Sequence, residues 1–438
     1  MELRDSFFVG GRWARPAGTG TLEVISPTTE EIVGSVPAAT TADVDAAVTT
    51  ARAAFDEGPW PQMPVTERAE HLRALVKHLE TRMERAVEIQ IDEMGGPRRF
   101  LVPTTGAMGP SLERIIGDAT SVPLTEVREG TVGKVVVMRE PVGVAAGVVP
   151  WNAPVMVAAS KIFPSLLMGC PMILKPAAES PLSAYLIAEA AIEAELPAGV
   201  LSVIPGGGEV GQHLVAHRGV DKVTFTGSTV VGEAIARTCG EQLKHVTLEL
   251  GGKSVAVVLE GVDLDRYLPV LVGGALRNSG QICVSTNRVL VPRAHQGNIV
   301  ERLVGFVGAM KVGDPHDDDT DFGPLVSARQ RDRVEEYLRS GVDQGARLVL
   351  GGSRPAHLSR GWFVEPTIFA DVDNAARIAQ EEIFGPVLTV IPYDTVDDAV
   401  AIANDSQYGL GGVVFAPDTE RGLEVASRLR TGTCAVND

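Results

Sequence analysis

The chain has 438 residues and a formal net charge of −17, with 45% hydrophobic and 22% charged residues. This composition predicts a globular protein of more than one domain, because a single domain typically holds about 100–200 residues. The acidic balance argues against a nucleic-acid partner, since neutralising phosphates needs clustered Lys and Arg.

The N-terminus and the cysteines favour a cytoplasmic protein with reduced thiols. Residues 1–11 lack the charged-then-apolar pattern of a signal peptide. No run reaches the roughly 18 apolar residues of a membrane span. Neither a CxxC motif nor a His-rich spacing is present, so we expect no metal site and no disulfide framework. The cysteines are Cys170, Cys239, Cys283 and Cys434.

The first 120 residues read as short strands followed by helices. Thr41 or Asp43 is expected to cap the first helix, whose apolar residues recur at helical spacing. The predicted elements are strands at Phe7–Val9, Thr21–Ile25 and Ile32–Pro37, and helices that start at Thr41, start near Thr66 and cover residues 83–92.

Residues 122–140 have a different pattern, in which valines alternate with polar residues around Glu129 and Gly130. Such alternation predicts a β-hairpin. A hairpin inserted between helical segments is expected to protrude as an arm and to pair elsewhere.

From residue 142 onward apolar strands alternate with helices, which predicts right-handed βαβ units and parallel sheets. A second region of the same kind starts after Gly251 and Gly252. The predicted strands cover residues 144–149, 172–175, 201–204, 222–226, 254–259, 289–291, 348–350 and 388–391, and the helices include 182–194, 327–340 and 397–403.

Two features indicate a cofactor site. The strand Lys222–Thr226 runs through Gly227 and Ser228 into a helix, whose free N–H groups can hold a pyrophosphate. The usual dinucleotide fingerprint has a glycine where this chain has Thr229, so an ordinary strand–turn–helix fits the motif equally well. Lys175 ends another strand at the ligand-binding edge of the sheet, although a single lysine there is more often a solvated charge.

Three residues are candidates for covalent chemistry. Cys283 follows Gly280 in an apolar stretch, although most cysteines are simply small buried residues. Glu249 lies between leucines, where burial would raise the pKa of a carboxyl and make it a general base; the alternative is an ion pair with a neighbour such as Lys253. Asn152 directly follows a buried strand, where its amide could stabilise an oxyanion or form a turn.

Taken together, these segments resemble the aldehyde dehydrogenase superfamily over nearly the whole chain. Five motifs occur in the family's order, which makes the resemblance highly specific. They are Pro150-Trp151-Asn152, Phe225-Thr226-Gly227-Ser228-Thr229, Leu248-Glu249-Leu250-Gly251-Gly252-Lys253, Gly280-Gln281-Ile282-Cys283 and Glu381-Glu382-Ile383-Phe384-Gly385-Pro386.

The resemblance implies an α/β fold with a Rossmann-type parallel-sheet cofactor domain, an α/β catalytic domain and a β-hairpin oligomerisation arm. The cofactor domain would comprise residues 1–121 and 141–250, the arm 122–140 and the catalytic domain 251–430. Residues 431–438 would begin a returning segment, since the family continues beyond Asp438.

The resemblance also assigns roles. Cys283 would be the nucleophile and Glu249 the base that activates water. Asn152, with the backbone N–H of Cys283, would form the oxyanion hole, and Lys161 behind Asn152 would take part in proton relay. The implied cofactor contacts are Lys175 on the adenosine ribose, Trp151, Gly227 and Ser228 around the pyrophosphate, Glu382 on the nicotinamide ribose and Phe384 beside the nicotinamide ring.

The implied reaction is the oxidation of an aldehyde to a carboxylic acid through a thioester on Cys283. NAD is the favoured cofactor, but Ala178 stands where many NAD-preferring relatives have Glu, with Glu179 next to it, which leaves NADP open. The arm implies a homodimer or homotetramer. The uncharged residues Val157, Ser160, Ile282 and Val284 predict an apolar aliphatic or aromatic aldehyde as substrate.

Two other functions remain open. A relative that passes the acyl group to coenzyme A would need no water-activating base, so Glu249 argues against it. A non-catalytic structural or binding protein would have no need of Cys283, Glu249 and Asn152 together, but the early end of the chain relative to the family keeps this alternative.

Overall fold

The computed structural model describes residues 1–438, which form two compact units. Unit 1 consists of Met1–Ile25, Ile32–Glu93 and Val102–Glu249. Unit 2 consists of Ser26–Glu31, Met94–Leu101 and Leu250–Asp438. None of the helices combines the length and the apolar character needed to cross a membrane.

The strands are β1 (Glu2–Leu3), β2 (Phe7–Val9), β3 (Arg12–Ala14), β4 (Thr21–Ile25), β5 (Ile32–Pro37), β6 (Thr125–Gly130), β7 (Gly133–Met138), β8 (Ala145–Val148), β9 (Met172–Lys175), β10 (Leu201–Val203), β11 (Lys222–Thr226), β12 (His245–Glu249), β13 (Val255–Val258), β14 (Arg288–Pro292), β15 (Arg347–Leu350), β16 (Thr367–Ala370), β17 (Val387–Tyr393), β18 (Gly411–Phe415) and β19 (Thr433–Val436).

The α-helices are α1 (Thr41–Asp56), α2 (Val65–Glu80), α3 (Met83–Met94), α4 (Arg98–Gly106), α5 (Met108–Ser121), α6 (Pro154–Leu167), α7 (Leu182–Glu193), α8 (Gly208–Ala216), α9 (Thr229–Glu241), α10 (Leu264–Leu276), α11 (Gln296–Gly308), α12 (Ala328–Asp343), α13 (Arg377–Gln380), α14 (Val396–Asn404) and α15 (Thr419–Ala426).

The main sheet of unit 1 has seven strands in the order β12-β11-β8-β9-β10-β2-β3. The five strands from β12 to β10 are parallel, as the alternation of strands and helices predicts. Ile162, Phe163 and Leu166 of helix α6 are buried in the core of this unit. Because the strands are parallel, their carboxyl ends lie along one edge of the sheet.

Unit 2 has its own seven-stranded sheet, in the order β15-β16-β17-β14-β13-β18-β19. All pairs are parallel except β15 with β16 at one edge. The central strands β13 and β14 are buried along their whole length, which explains their continuous apolar sequences. The predicted second α/β region is therefore confirmed.

Helix α1 begins where the sequence predicts, but its cap was predicted wrongly. The N-cap is Thr40, whose hydroxyl accepts a hydrogen bond from the Asp43 N–H. The Asp43 carboxylate accepts one in return from the Thr40 N–H at 2.8 Å. This reciprocal capping box makes Asp43 a supporting residue at position N3, while Thr41 is the first residue of the helix.

The predicted hairpin is confirmed as β6 and β7, which pair antiparallel with Gly130 opposite Gly133. Its turn is at Thr131 and Val132, two residues later than Glu129 and Gly130, around which the hairpin was predicted. Val127 and Val136 are cross-strand partners, and both remain exposed. The hairpin thus presents apolar side chains to solvent.

Helices α4 and α5 were not predicted. A proline at position 103 and glycines at 106 and 109 interrupt the sequence, which hides the helical pattern. The structure nevertheless buries Met108, Leu112 and Ile116 against the core, because these residues recur on one face of α5.

Candidate active site

Unit 1 collects its candidate residues along the carboxyl edge of the parallel sheet. Trp151 and Asn152 lie between the end of β8 and the start of α6. Asn152 is buried, and Ser180 donates a hydrogen bond from its hydroxyl to the Trp151 carbonyl at 3.3 Å. The next strand, β9, ends at Lys175. This edge is where ligands bind in open α/β sheets.

Lys175 is a buried ammonium rather than a solvated charge. Its Nζ donates to the Pro176 carbonyl at 2.8 Å. Burial lowers the pKa of Lys175 to about 8, and Glu179 acts in the opposite direction. Gly211 of α8 lies beside the lysine chain, where an added Cβ would lie 3.4 Å from the Lys175 Cδ.

The turn after β11 fits a phosphate group. A Cβ at Gly227 would lie 2.5 Å from the Phe225 ring, so only glycine is accommodated without a shift. Ser228 is the N-cap of α9, but its hydroxyl makes no capping hydrogen bond. The N–H groups at the start of α9 are therefore not occupied by their own cap and can receive an anion.

A cavity of about 820 Å³ in unit 1 is lined by Lys161, Thr224 and Glu249, among other residues. Lys161 is buried on α6, and its Nζ donates to the Thr224 hydroxyl at 3.0 Å. Burial lowers the pKa of Lys161 to about 8, while the nearby Glu249 carboxylate acts to raise it. Thr224 was not among the residues singled out from the sequence.

Glu249 ends β12 and is exposed, so the burial expected from its leucine neighbours is wrong. The reason is topological, since β12 is the edge strand of its sheet. The carboxylate points into the cavity, while Leu248 is directed to the opposite face of the sheet.

In unit 2, Cys283 follows a segment of unusual backbone conformation. Asn278, Ser279 and Gly280 have φ values of 52°, 54° and 71°, so three consecutive residues are left-handed. A Cβ at Gly280 would collide with the carbonyl oxygen of Gly385. A left-handed conformation is costly for residues other than glycine, so the surrounding contacts have to hold this segment in place.

Gln281 provides much of that support. It is fully buried, and its amide nitrogen donates to the carbonyls of Asn278 and Pro324 at 3.2 and 3.5 Å. Its amide oxygen accepts from the Val326 N–H at 3.1 Å. Ser279 adds a hydrogen bond to the Gly323 carbonyl.

Cys283 itself is half-buried, unlike Cys170 and Cys239, which are buried. Burial raises the pKa of the thiols of Cys170, Cys239 and Cys434. The backbone around Cys283 is tightly packed, because a Cβ at Gly252 would lie 2.8 Å from the Cys283 carbonyl oxygen.

The glycine pair at 251 and 252 also makes room for Glu382. The Gly252 N–H donates to the Glu382 carboxylate at 3.4 Å. A Cβ at Gly251 would collide with the same carboxylate. Burial raises the pKa of Glu382, whereas this hydrogen bond and the nearby Lys253 and Arg333 lower it.

Phe384 has a φ of 59°, and helix α12 holds the loop that carries it. Gln330 donates to the Phe384 carbonyl at 2.8 Å, and Arg333 donates to the Glu382 carbonyl at 2.9 Å. Tyr337 donates its hydroxyl to Glu381. These supports were missed from the sequence, because polar residues at helical spacing on α12 look like a solvated face.

The structure therefore brings the predicted residues together in two sets. Within unit 1, six of them lie at or just beyond the carboxyl ends of the strands: Trp151, Asn152, Lys175, Gly227, Ser228 and Glu249. Lys161 of α6 instead reaches Thr224 in the middle of β11 and lines the same cavity as Glu249. Within unit 2, Glu382 and the Cys283 carbonyl both border Gly251 and Gly252, and Phe384 lies on the same loop as Glu382.

Comparison with known proteins gives concordant results. The family model described as "Aldehyde dehydrogenase family" matches residues 13–438. Geranial dehydrogenase of Castellaniella defragrans is 44% identical over 98% of this chain and 90% of its own length. Chloroplastic betaine aldehyde dehydrogenase of Beta vulgaris is 35% identical over 98% of this chain and 88% of its length.

Among solved structures, an aldehyde dehydrogenase from Mycobacterium tuberculosis, crystallised in complex with NAD+, superimposes with a TM-score of 0.97 at 48% sequence identity. The match covers 100% of this chain and 90% of that protein. The fold expected from the resemblance is thereby confirmed. The chain belongs to the aldehyde dehydrogenase family and is an oxidoreductase of that family.

Proposed function

We propose that this protein oxidises an apolar aliphatic or aromatic aldehyde to the carboxylic acid and reduces NAD. The observation that carries the proposal is the left-handed segment at residues 278–280, which is locked by Gln281 and presents a half-buried Cys283. Backbone strain of this kind is commonly kept at functional sites. A structural cysteine would need no such segment before it.

The residues of this chain fit a dinucleotide. The start of α9, the glycine at 227 and the buried Lys175 offer an anion site and a donor at one sheet edge. In unit 2 the Glu382 carboxylate offers an acceptor for ribose hydroxyls, with Phe384 beside it. When bound, the nicotinamide takes up the hydride that the aldehyde carbon loses. We favour NAD over NADP, because the similar aldehyde dehydrogenase of Mycobacterium tuberculosis was crystallised with NAD+.

The proposed mechanism is covalent. The Cys283 thiolate adds to the aldehyde carbon, and the Asn152 amide, with the Cys283 N–H, stabilises the oxyanion that forms. Loss of hydride leaves a thioester on Cys283. Glu249 accepts a proton from water, the water oxygen adds to the thioester carbon, and the acid departs as the thiolate is regenerated. Lys161 relays the proton away from Glu249.

The proposed domains are a cofactor domain at residues 1–121 and 141–250 and a catalytic domain at 251–430. We further propose that the arm at 122–140 joins subunits into a homodimer or homotetramer. The proposed compartment is the cytoplasm, where a thiol nucleophile stays reduced.

Substitutions of Cys283 and Glu249 test the two halves of the mechanism. Cys283→Ala should release no reduced cofactor, because no adduct forms. Glu249→Gln should give a burst approaching one reduced cofactor per active site and then slow by about 10²–10⁴-fold, because a general base is lost. Rapid-mixing absorbance and mass spectrometry of the acylated protein are the measurements.

Full steady turnover by Glu249→Gln without coenzyme A would remove Glu249 from its role, and turnover by Cys283→Ala would exclude the covalent mechanism. Steady turnover of the unmodified protein that requires coenzyme A would favour the acyl-transferring alternative. Absence of any reduced cofactor with all aldehydes would favour a non-catalytic protein.

The substrate class is tested by comparing kcat/KM for hexanal and benzaldehyde with that for betaine aldehyde. Ser160 lies on the wall of the unit 1 cavity, and Ile282 and Val284 flank Cys283, whereas Val157 packs against the core. The uncharged residues on either side of Cys283 favour apolar ligands. The similarity to geranial dehydrogenase supports this class, and a higher kcat/KM for betaine aldehyde would contradict it.

A further inference from the structure

At one edge of the unit 1 sheet, the edge strand β12 and its neighbour β11 carry a row of polar side chains on one face. Thr224 lies opposite Thr247 in the register, and Lys222, two residues before Thr224, lies on the same face. Val223 and Phe225 are buried on the other face. A buried position in a parallel strand, such as Thr224, usually holds an apolar residue, so the presence of a hydroxyl there needs an explanation.

The hydroxyl has a specific partner. Lys161 donates from Nζ to Thr224 Oγ1 at 3.0 Å, across 63 residues of sequence, and both residues are buried. The Lys161 ammonium has three N–H donors, and one of them bonds to Thr224. The Lys161 side chain lines the same cavity as Glu249.

We propose that Thr224 is a positioning residue, which fixes the Lys161 ammonium relative to Glu249 and so sets the efficiency of thioester hydrolysis. The inference rests on the proposed function, in which Glu249 activates water and Lys161 relays the proton. A lysine chain has several rotatable bonds, and one fixed acceptor at its tip selects a single arrangement. Thr224 touches neither substrate nor cofactor in this scheme.

The hydrogen bond from Lys161 to Thr224 also affects the pKa of Lys161. Burial lowers the pKa of Lys161, and Thr224 is a neutral acceptor that favours the charged form. Loss of the acceptor should therefore lower that pKa further. The other charged groups that line the cavity are Arg68, Arg139, Glu140, Lys222 and Glu249.

The chain offers a matched control one strand away. Lys222 donates from Nζ to Thr247 Oγ1, also at 3.0 Å, but Thr247 is exposed. Threonine and valine have the same shape and both suit strands, so Thr224→Val and Thr247→Val each remove one hydroxyl from a comparable lysine–threonine pair. Thr224→Ser restores the hydroxyl and serves as the rescue variant.

The first measurement is independent of activity. Labelling the full-length protein with acetic anhydride from pH 6 to pH 10, with the Lys161 peptide quantified by mass spectrometry, gives the titration of this lysine. We expect Thr224→Val to move the Lys161 midpoint to lower pH, while Thr224→Ser and Thr247→Val keep the midpoint of the unmodified protein. Identical midpoints in all four proteins would overturn the proposal.

The second measurement is single-turnover hydrolysis of the acylated protein as a function of pH. We expect Thr224→Val to hydrolyse the thioester about tenfold more slowly at its plateau, as for the loss of one hydrogen bond to a charged group, with the inflection displaced to lower pH. Thr224→Ser should recover the rate, and Thr247→Val should leave it unchanged.

The two measurements distinguish failure of the positioning role of Thr224 from failure of the relay step in the proposed function. A displaced midpoint with an unchanged hydrolysis rate would show that Thr224 holds Lys161 but would remove Lys161 from the relay, and with it that step of the proposed function. An equal loss in acylation and hydrolysis, with no displacement of midpoint or inflection, would mean that Thr224 only stabilises the fold and would overturn its positioning role.

Discussion

At Gly280 the backbone has a φ of 71°, and a Cβ there would meet the carbonyl oxygen of Gly385. Both constraints act on the same residue, and neither can be relieved by rotating a side chain. The position of the segment before Cys283 is therefore fixed by close contact between its backbone and the backbone of the loop that carries Phe384.

We expect Gly280→Ala to lower the free energy of unfolding by about 2 kcal/mol or more, because the added carbon creates both a steric overlap and a strained conformation. Displacement of the segment should also slow alkylation of Cys283 by iodoacetamide relative to the other thiols. Thermal unfolding and peptide mass spectrometry measure the two effects.

The control for this substitution is Gly117→Ala. Gly117 lies within α5, and a Cβ there would meet nothing within 4 Å. Alanine is the better helix former, so this variant should be as stable as the original or slightly more so. Equal stability of Gly280→Ala and Gly117→Ala would contradict the proposed constraint.

Two buried lysines, Lys161 and Lys175, show how the fold changes the meaning of a single residue. Each has a pKa lowered to about 8 by burial, and each donates one hydrogen bond to a neutral acceptor. An isolated lysine in a sequence is usually a solvated charge. Both ammonium groups are thus buried without a salt bridge, and groups with pKa values perturbed in this way are common at functional sites.

At the scale of single elements, the sequence predicts those whose side chains follow a regular apolar pattern. The strands β9 and β14 lie in apolar runs because they are buried in a parallel sheet, and their positions agree to within about one residue. The hairpin of β6 and β7 follows from strict alternation. Burial on both faces produces the apolar runs of the parallel strands, whereas the alternation of the hairpin reflects side chains that point to opposite faces in turn.

Features that depend on long-range pairing could not be predicted. The left-handed conformation of Asn278 and Ser279 depends on contacts with residues about 45 positions later, such as Gly323 and Val326. The exposure of Glu249 depends on the order of strands in the sheet, which local sequence does not specify. The motifs could thus identify candidate site residues, but not the residues that hold them in place.

The cap of α1 gives a prediction at this scale. Thr40→Ala removes the hydroxyl that accepts from the Asp43 N–H and should cost about 1 kcal/mol of stability. Thr41→Ala changes the adjacent helical residue and should be close to neutral. Chemical denaturation of the two variants measures the difference, and a larger loss in Thr41→Ala would show that the cap lies one residue later.

At the scale of the whole molecule, the hairpin is the element with the least support of its own. Its two strands form a separate two-stranded sheet, and an isolated hairpin is marginally stable in water. The cross-strand pair Val127 and Val136 and the nearby Met138 are 64%, 58% and 63% exposed and lie on one face. An apolar stripe on a weakly supported element is best explained if a second copy of the chain covers it.

We therefore expect light scattering at micromolar concentration to give the mass of a dimer or tetramer. Val136→Lys should shift the protein towards monomer, because a charge would be buried in the contact. Val132→Lys adds the same charge at the hairpin turn, where the side chain is fully exposed, and should leave the assembly intact. A monodisperse monomer of the unmodified protein would contradict the arm's role, and equal dissociation of both variants would show that general charge repulsion, not the stripe, controls assembly.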